Sequence, residues 1–140
     1  MDPIDERTLL RDSLELAFER DDDFPQIFYD ILFHRHPELE PLFKGQTPNA
    51  QRVMFGQTLV AIVDHADDPA WLEATLGPLA KSHVRYGVTD AMYDLVGDCL
   101  VASLAETCVG HWSPAHDKAW RDAYDRVAAT MRRAASEVAP

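Results

Sequence analysis

Cysteine is nearly absent from this chain: only Cys99 and Cys108 occur among 140 residues, and no CxxC pair is present. That excludes a disulfide framework and the common zinc-binding spacings. The two lie nine positions apart in one helical pattern, on opposite faces, so they cannot bridge within that helix and are expected as buried or half-buried free thiols. No apolar run approaches the ~18 residues a membrane-crossing helix needs. The start, Met1-Asp2-Pro3-Ile4-Asp5-Glu6, has neither the basic region nor the apolar core of a secretory signal. A cytoplasmic protein without membrane insertion is expected. Positive charge is scarce as well, with 13 Lys and Arg against 24 Asp and Glu and a net charge of -11. Phosphate backbones would be repelled, so no nucleic-acid partner is expected. Strand patterns, internal repeats and low-complexity tracts are also missing.

What the chain does have is a soluble composition, 46% hydrophobic and 26% charged, arranged with helical periodicity. Its length suits one domain over residues 1–140, with a single core, room for a small buried cofactor and no second catalytic domain. A first helix is predicted over about 4–20, with Leu9, Leu10, Leu14 and Ala17 inward, ending at Asp21-Asp22-Asp23, which reads as a solvated turn. The second, Phe24 to about His36, is apolar on nearly two sides and should be central. Pro37 forces a turn, and Glu38 to Phe43 can form a short helix ending at Gly45. Thr47-Pro48 opens a long helix to about Ala66. After Asp67-Asp68-Pro69, a segment with Trp71, Leu72 and Leu76 runs to Gly77-Pro78, where a break is expected and a new short helix begins. Gly87 ends that helix. Thr89 caps the next, with Tyr93, Val96, Gly97, Leu100 and Leu104 inward, and Ser113-Pro114 starts the last, with Trp120, Tyr124, Val127 and Met131 inward. The fold class is all-α, six or seven helices around one core.

Two polar residues sit where apolar ones belong. Gln51 shares an inner stripe with Phe55, Thr58, Leu59 and Ile62, and His83 shares one with Leu76, Leu79 and Ala80. A histidine facing a core is either a satisfied core residue or a ligand whose second ring nitrogen is oriented by an acceptor. The other histidines, His34, His36, His65, His111 and His116, lie at helix ends or in loops, where carbonyl dipoles account for them. Trp71, Trp112 and Trp120 are read as packing residues.

Taken together, Phe28-Tyr29-Asp30, Phe33, Pro37-Glu38-Leu39, Leu42-Phe43 and Gln51-Arg52, with His83 32 positions beyond Gln51, resemble the bacterial globins. The likeness is to the haem domain of flavohaemoglobins and to single-domain bacterial haemoglobins. It extends from about Phe24 to Met131 through Val96-Gly97, Trp120 and Tyr124. The resemblance implies a globin fold packed around haem b, with His83 as the proximal iron ligand and Phe43 stacked on the haem. Phe55 and Val96 then line the cofactor pocket. Tyr29 and Gln51 become the distal polar pair that steadies charge on a bound gas. Tyr93, ten residues after His83, and Glu137 correspond to a proximal hydrogen-bonding set, and a carboxylate linked to the imidazole would push electron density toward iron.

Two features depart from that pattern. Phe55, one helical turn beyond Gln51, replaces a smaller aliphatic residue and is expected to narrow ligand access or displace Gln51. No flavin or nicotinamide fingerprint follows the globin part, so repeated turnover requires a separate electron-donating reductase. The implied function is binding of O2, NO and other small diatomic ligands, with conversion of NO to nitrate as one outcome. An O2 carrier or delivery protein and a haem-based gas sensor are the alternatives.

Overall fold

A computed structural model of the chain describes residues 5–43 and 47–137. Among them are six α-helices and one 3₁₀ helix, without strands: α1 (Glu6–Arg20), α2 (Phe24–Arg35), the 3₁₀ helix (Pro37–Phe43), α3 (Pro48–Asp64), α4 (Pro69–Arg85), α5 (Asp90–Thr107) and α6 (Pro114–Ser136). The expected terminator Gly45, the first residues Met1 to Ile4, and Pro140 fall outside the described residues.

Local chemistry sets most boundaries. Asp5 accepts the Thr8 N–H at 2.8 Å, Thr47 Oγ1 that of Ala50 at 3.1 Å, and Asp68 that of Trp71 at 3.1 Å. Each side chain satisfies a donor that the helix start leaves orphaned, worth about 1 kcal/mol. The aspartate run makes a turn in which Asp21 Oδ1 accepts the Asp23 N–H. Gly87 takes φ +91°, a conformation that favours glycine, and closes α4.

One expected boundary is absent. α4 runs without interruption from Pro69 to Arg85, with Pro78 inside it, so Gly77-Pro78 neither ends one helix nor opens another. Proline removes one N–H and crowds the carbonyl four residues back, a cost of about 3 kcal/mol. The compensation is tertiary: Leu72, Leu76 and Ala80, on both sides of Pro78, form one stripe in the same packed cluster as Val127, Ala128 and Met131 of α6. α4 against α6 is the most extensive helix pair in the fold.

The other half of the core centres on α2, which packs on α5, α3 and the 3₁₀ helix. Phe24 and Leu32 are fully buried, as are Leu10 of α1 and Leu104 of α5. Polar atoms within this core are satisfied: Trp120 Nε1 donates to Ser13 Oγ at 2.8 Å, and Ser13 Oγ donates to the Leu9 carbonyl at 2.6 Å. Cys99 and Cys108 are free thiols and both fully buried.

Candidate functional site

His83 lies in the last turns of α4, half-buried. Its Nδ1 is 2.8 Å from the carbonyl of Leu79, one turn earlier. A carbonyl can only accept, so Nδ1 carries the proton and Nε2 keeps its lone pair. Burial lowers the imidazole pKa, partly offset by the Leu79 bond, and favours the neutral ring. A neutral imidazole with a fixed tautomer is the state in which histidine ligates a metal. The backbone is held too, since the Val88 N–H donates to the His83 carbonyl at 3.0 Å.

Tyr29 and Gln51 come together in a different wall. Tyr29 is buried on α2, with the rings of Phe28, Phe33, Phe43 and Phe55 all between 5.2 and 5.8 Å from its own. This enclosure pushes its phenol up to about 12, so the hydroxyl remains a donor at any ordinary pH. Its one acceptor among the described residues is loose, the Gln51 carbonyl at 3.5 Å. Gln51, at the start of α3, donates through Nε2 to the Phe43 carbonyl at 2.6 Å. The glutamine thus ties α3 to the end of the 3₁₀ helix. Tyr29, Phe33, Phe43 and Gln51 form part of the wall of a cleft of about 430 Å3, beside Gln26 and Arg52. Arg52 is anchored there by Gln26 Oε1 at 2.9 Å and Asp23 at 3.3 Å.

Phe55 lies parallel to Phe28, 4.3 Å between ring centres. The stack explains how α3 accommodates the larger side chain: the ring fills space against α2 and edges the Tyr29 ring at 5.6 Å. Phe43 packs edge-on against Phe33 at 5.4 Å, and its neighbour Leu42 comes within 3.6 Å of the position a Cβ on Gly87 would occupy. The 3₁₀ helix therefore reaches from the tyrosine wall to the turn just after His83.

Tyr93 is buried on α5, in the packed cluster that also holds Leu76, Leu79, Ala80 and Val88. Its carbonyl accepts the Tyr124 hydroxyl. Gly97 makes the approach of that ring possible, because a Cβ there would lie 2.6 Å from Tyr124 Cε2. Val96 is half-buried beside it and packs on the α2 core. Glu137 is exposed at the C-cap of α6 and is not brought together with Tyr93. The charged group that does meet Tyr93 is Arg132, whose guanidinium carbon lies 5.4 Å from the ring centre. Burial pushes the Tyr93 hydroxyl pKa up, and the arginine pulls it back. Sequence reading missed Arg132 because an arginine on an α6 face carries no signal of what α5 places beneath it.

The remaining histidines stay at helix ends or in loops. His65 stacks on Trp71 with 4.0 Å between rings, and His116 accepts the Ser113 N–H at 3.2 Å. No helix among the described residues is long and apolar enough to cross a membrane.

Comparison with known proteins bears on the family and the fold. An uncharacterized globin-like protein of Aquifex aeolicus is 26% identical over 125 residues, 88% of this chain and 86% of that protein. A flavohemoprotein of Rhizobium meliloti is 30% identical over 115 residues, 81% of this chain, which spans only 28% of that relative's length. Among solved structures, an engineered carbene transferase made from a candidate nitric oxide dioxygenase of Rhodothermus marinus superposes with a TM-score of 0.82 at 28% identity, covering 95% of this chain and 92% of that one. A bacterial globin from Campylobacter jejuni superposes with a TM-score of 0.81 at 21% identity, covering 95% and 96%. With the family model described as Globin matching residues 26–131, the chain belongs to the globin family.

Proposed function

We propose that the chain holds haem b through His83, takes up O2 and NO, and converts NO to nitrate with electrons from a separate reductase. The residues fit the group: a neutral imidazole with its lone pair on Nε2, and a wall of aromatic rings around two polar side chains. Covalent attachment through a CxxCH motif is not available, which supports haem b. Bound haem supplies an iron that takes diatomic gases and exchanges single electrons. The observation that carries the reading is Tyr29, a buried phenol kept protonated and only loosely held by its 3.5 Å contact. A short swing lets it donate to a polarised gas molecule. Gln51, once released from Phe43, adds a second donor, and the surrounding rings exclude water, so both act at low dielectric.

The stoichiometry is NO + O2 + e⁻ → NO3⁻, in which the nitrogen and all three oxygens end in nitrate and the reductase supplies the electron. On this reading the protein works in the cytoplasm; its two free thiols favour a reducing compartment. The flavohemoprotein likeness and the relation to a candidate nitric oxide dioxygenase lend support. The test is stopped-flow mixing of the reduced, O2-equilibrated protein with NO, followed by turnover with a supplied reductase. Rapid oxidation with nitrate formed in equal amount is expected; slow oxidation, or no re-reduction, rejects the enzymatic reading.

A second reading, O2 carriage or delivery, is favoured by one observation. The partner of His83 Nδ1 is a neutral carbonyl rather than a carboxylate, which gives a less basic ligand and less electron push.

A further inference from the structure

Arg132 sets a positive charge over the Tyr93 ring that no role above absorbs. It projects from α6 across the start of α5, with Nε 2.7 Å from Asp90 and Nη2 3.0 Å from Asp94. Nη2 also donates to the Asp90 carbonyl at 3.1 Å. Its face covers the Tyr93 ring. The two carboxylates are mainly in water, with side chains 80% and 76% exposed, whereas the Arg132 side chain is 33% exposed. Water therefore screens the negative partners more than the positive centre. Beneath the guanidinium, Tyr93 belongs to the packed cluster that also takes in Leu79 and Val88, the residues whose backbone groups hold the His83 ring and carbonyl.

We infer that Arg132 is a positioning residue of the proximal wall, clamping Tyr93 against the His83 segment and setting a fixed positive charge behind it that opposes electron accumulation on the iron side. The inference rests on His83 holding haem. It assigns to this chain an arginine-weakened push in place of a carboxylate-driven one. A permanent cation disfavours the more positively charged ferric state, so it raises the ferric/ferrous midpoint potential. The carboxylates and the residual solvent reduce the effect, leaving about a threefold change in the ferric to ferrous ratio at a fixed donor potential.

The test uses the haem-loaded full chain and two opposite changes. Arg132→Gln should lower the midpoint potential and raise the iron–histidine stretching frequency, while Arg132→Lys keeps the potential near the parent value. Asp90→Asn with Asp94→Asn leaves the cation uncompensated and should move the potential upward. A merely structural clamp predicts that both changes loosen Tyr93 and shift the readouts in the same direction. Shifts of opposite sign support the inference; same-direction shifts, or none, overturn it. Should Arg132→Gln fail to fold, the upward shift of the paired aspartate variant decides alone. If the parent chain takes up no haem, both this inference and the proposed function fail, whereas a haem-loaded protein with unmoved potentials rejects Arg132 only. Glu137→Gln, on the same helix but away from Tyr93, serves as the surface control and should leave both readouts unchanged.

Discussion

The two polar walls of this globin are built by different means. On the His83 side several polar groups have short, fixed partners: Nδ1 on Leu79, the His83 carbonyl on Val88, Arg132 Nη2 on Asp94, and Tyr124 on the Tyr93 carbonyl. Around Tyr29, four aromatic rings supply the bulk and, among the described residues, the hydroxyl is held by a single long contact. The first arrangement fixes the His83 imidazole in one orientation. The second keeps a donor protonated and able to move. The proposed function needs both, since anchoring a cofactor penalises motion whereas receiving a small ligand requires it.

The comparison can be broken at three points. The largest effect is expected for His83→Ala, which should abolish haem uptake, read as loss of the Soret band in protein expressed with haem supplied. Full retention would mean that the tyrosine wall, not α4, anchors the cofactor. Next comes Gly97→Ala. Its new Cβ would sit 2.6 Å from the Tyr124 ring, so the ring must shift and the hydrogen bond to Tyr93 must loosen. Overpacking of this kind costs about 1–3 kcal/mol. A fall in Tm of about 2–4 °C per kcal/mol follows for a chain of this size, measurable by calorimetry. An unchanged Tm would show the Tyr124 side to be as adjustable as the Tyr29 side. The smallest effect belongs to Tyr29→Phe. It leaves the aromatic packing in place and removes one hydrogen bond of about 1.4 kcal/mol, so O2 dissociation should accelerate roughly tenfold in flash or stopped-flow measurements. An unchanged rate would remove Tyr29 from the ligand site.

Particular residues show why some of this was legible in the sequence. Helix starts announced themselves through Thr47-Pro48 and Ser113-Pro114, because capping is a contact within four residues. Gly87 was equally plain, since its φ of +91° is a local property. Gly77-Pro78 misled for the converse reason: local propensity argues for a break, and only the apolar stripe laid on α6 makes a continuous helix the lower-energy choice. Tyr29 and Gln51 were placed as a pair by their likeness to known globins, and the structure brings them into contact. Their partners were not foreseeable. The Gln51 amide turned to the Phe43 carbonyl and the Phe55 ring stacked on Phe28 depend on how α2, α3 and the 3₁₀ helix meet.

The sequence by itself determined that the chain is helical, where most of its helices begin, and which histidine could face a core. Those properties follow from periodicity and capping, which act over one or two turns. Tertiary structure decided what each polar side chain touches. It gave His83 a neutral carbonyl, gave Tyr93 an arginine and left Glu137 in solvent. The physical reason is range: a side chain's environment is set by elements tens of residues away, and a change in helix packing reassigns every charge near the site without altering a single local preference.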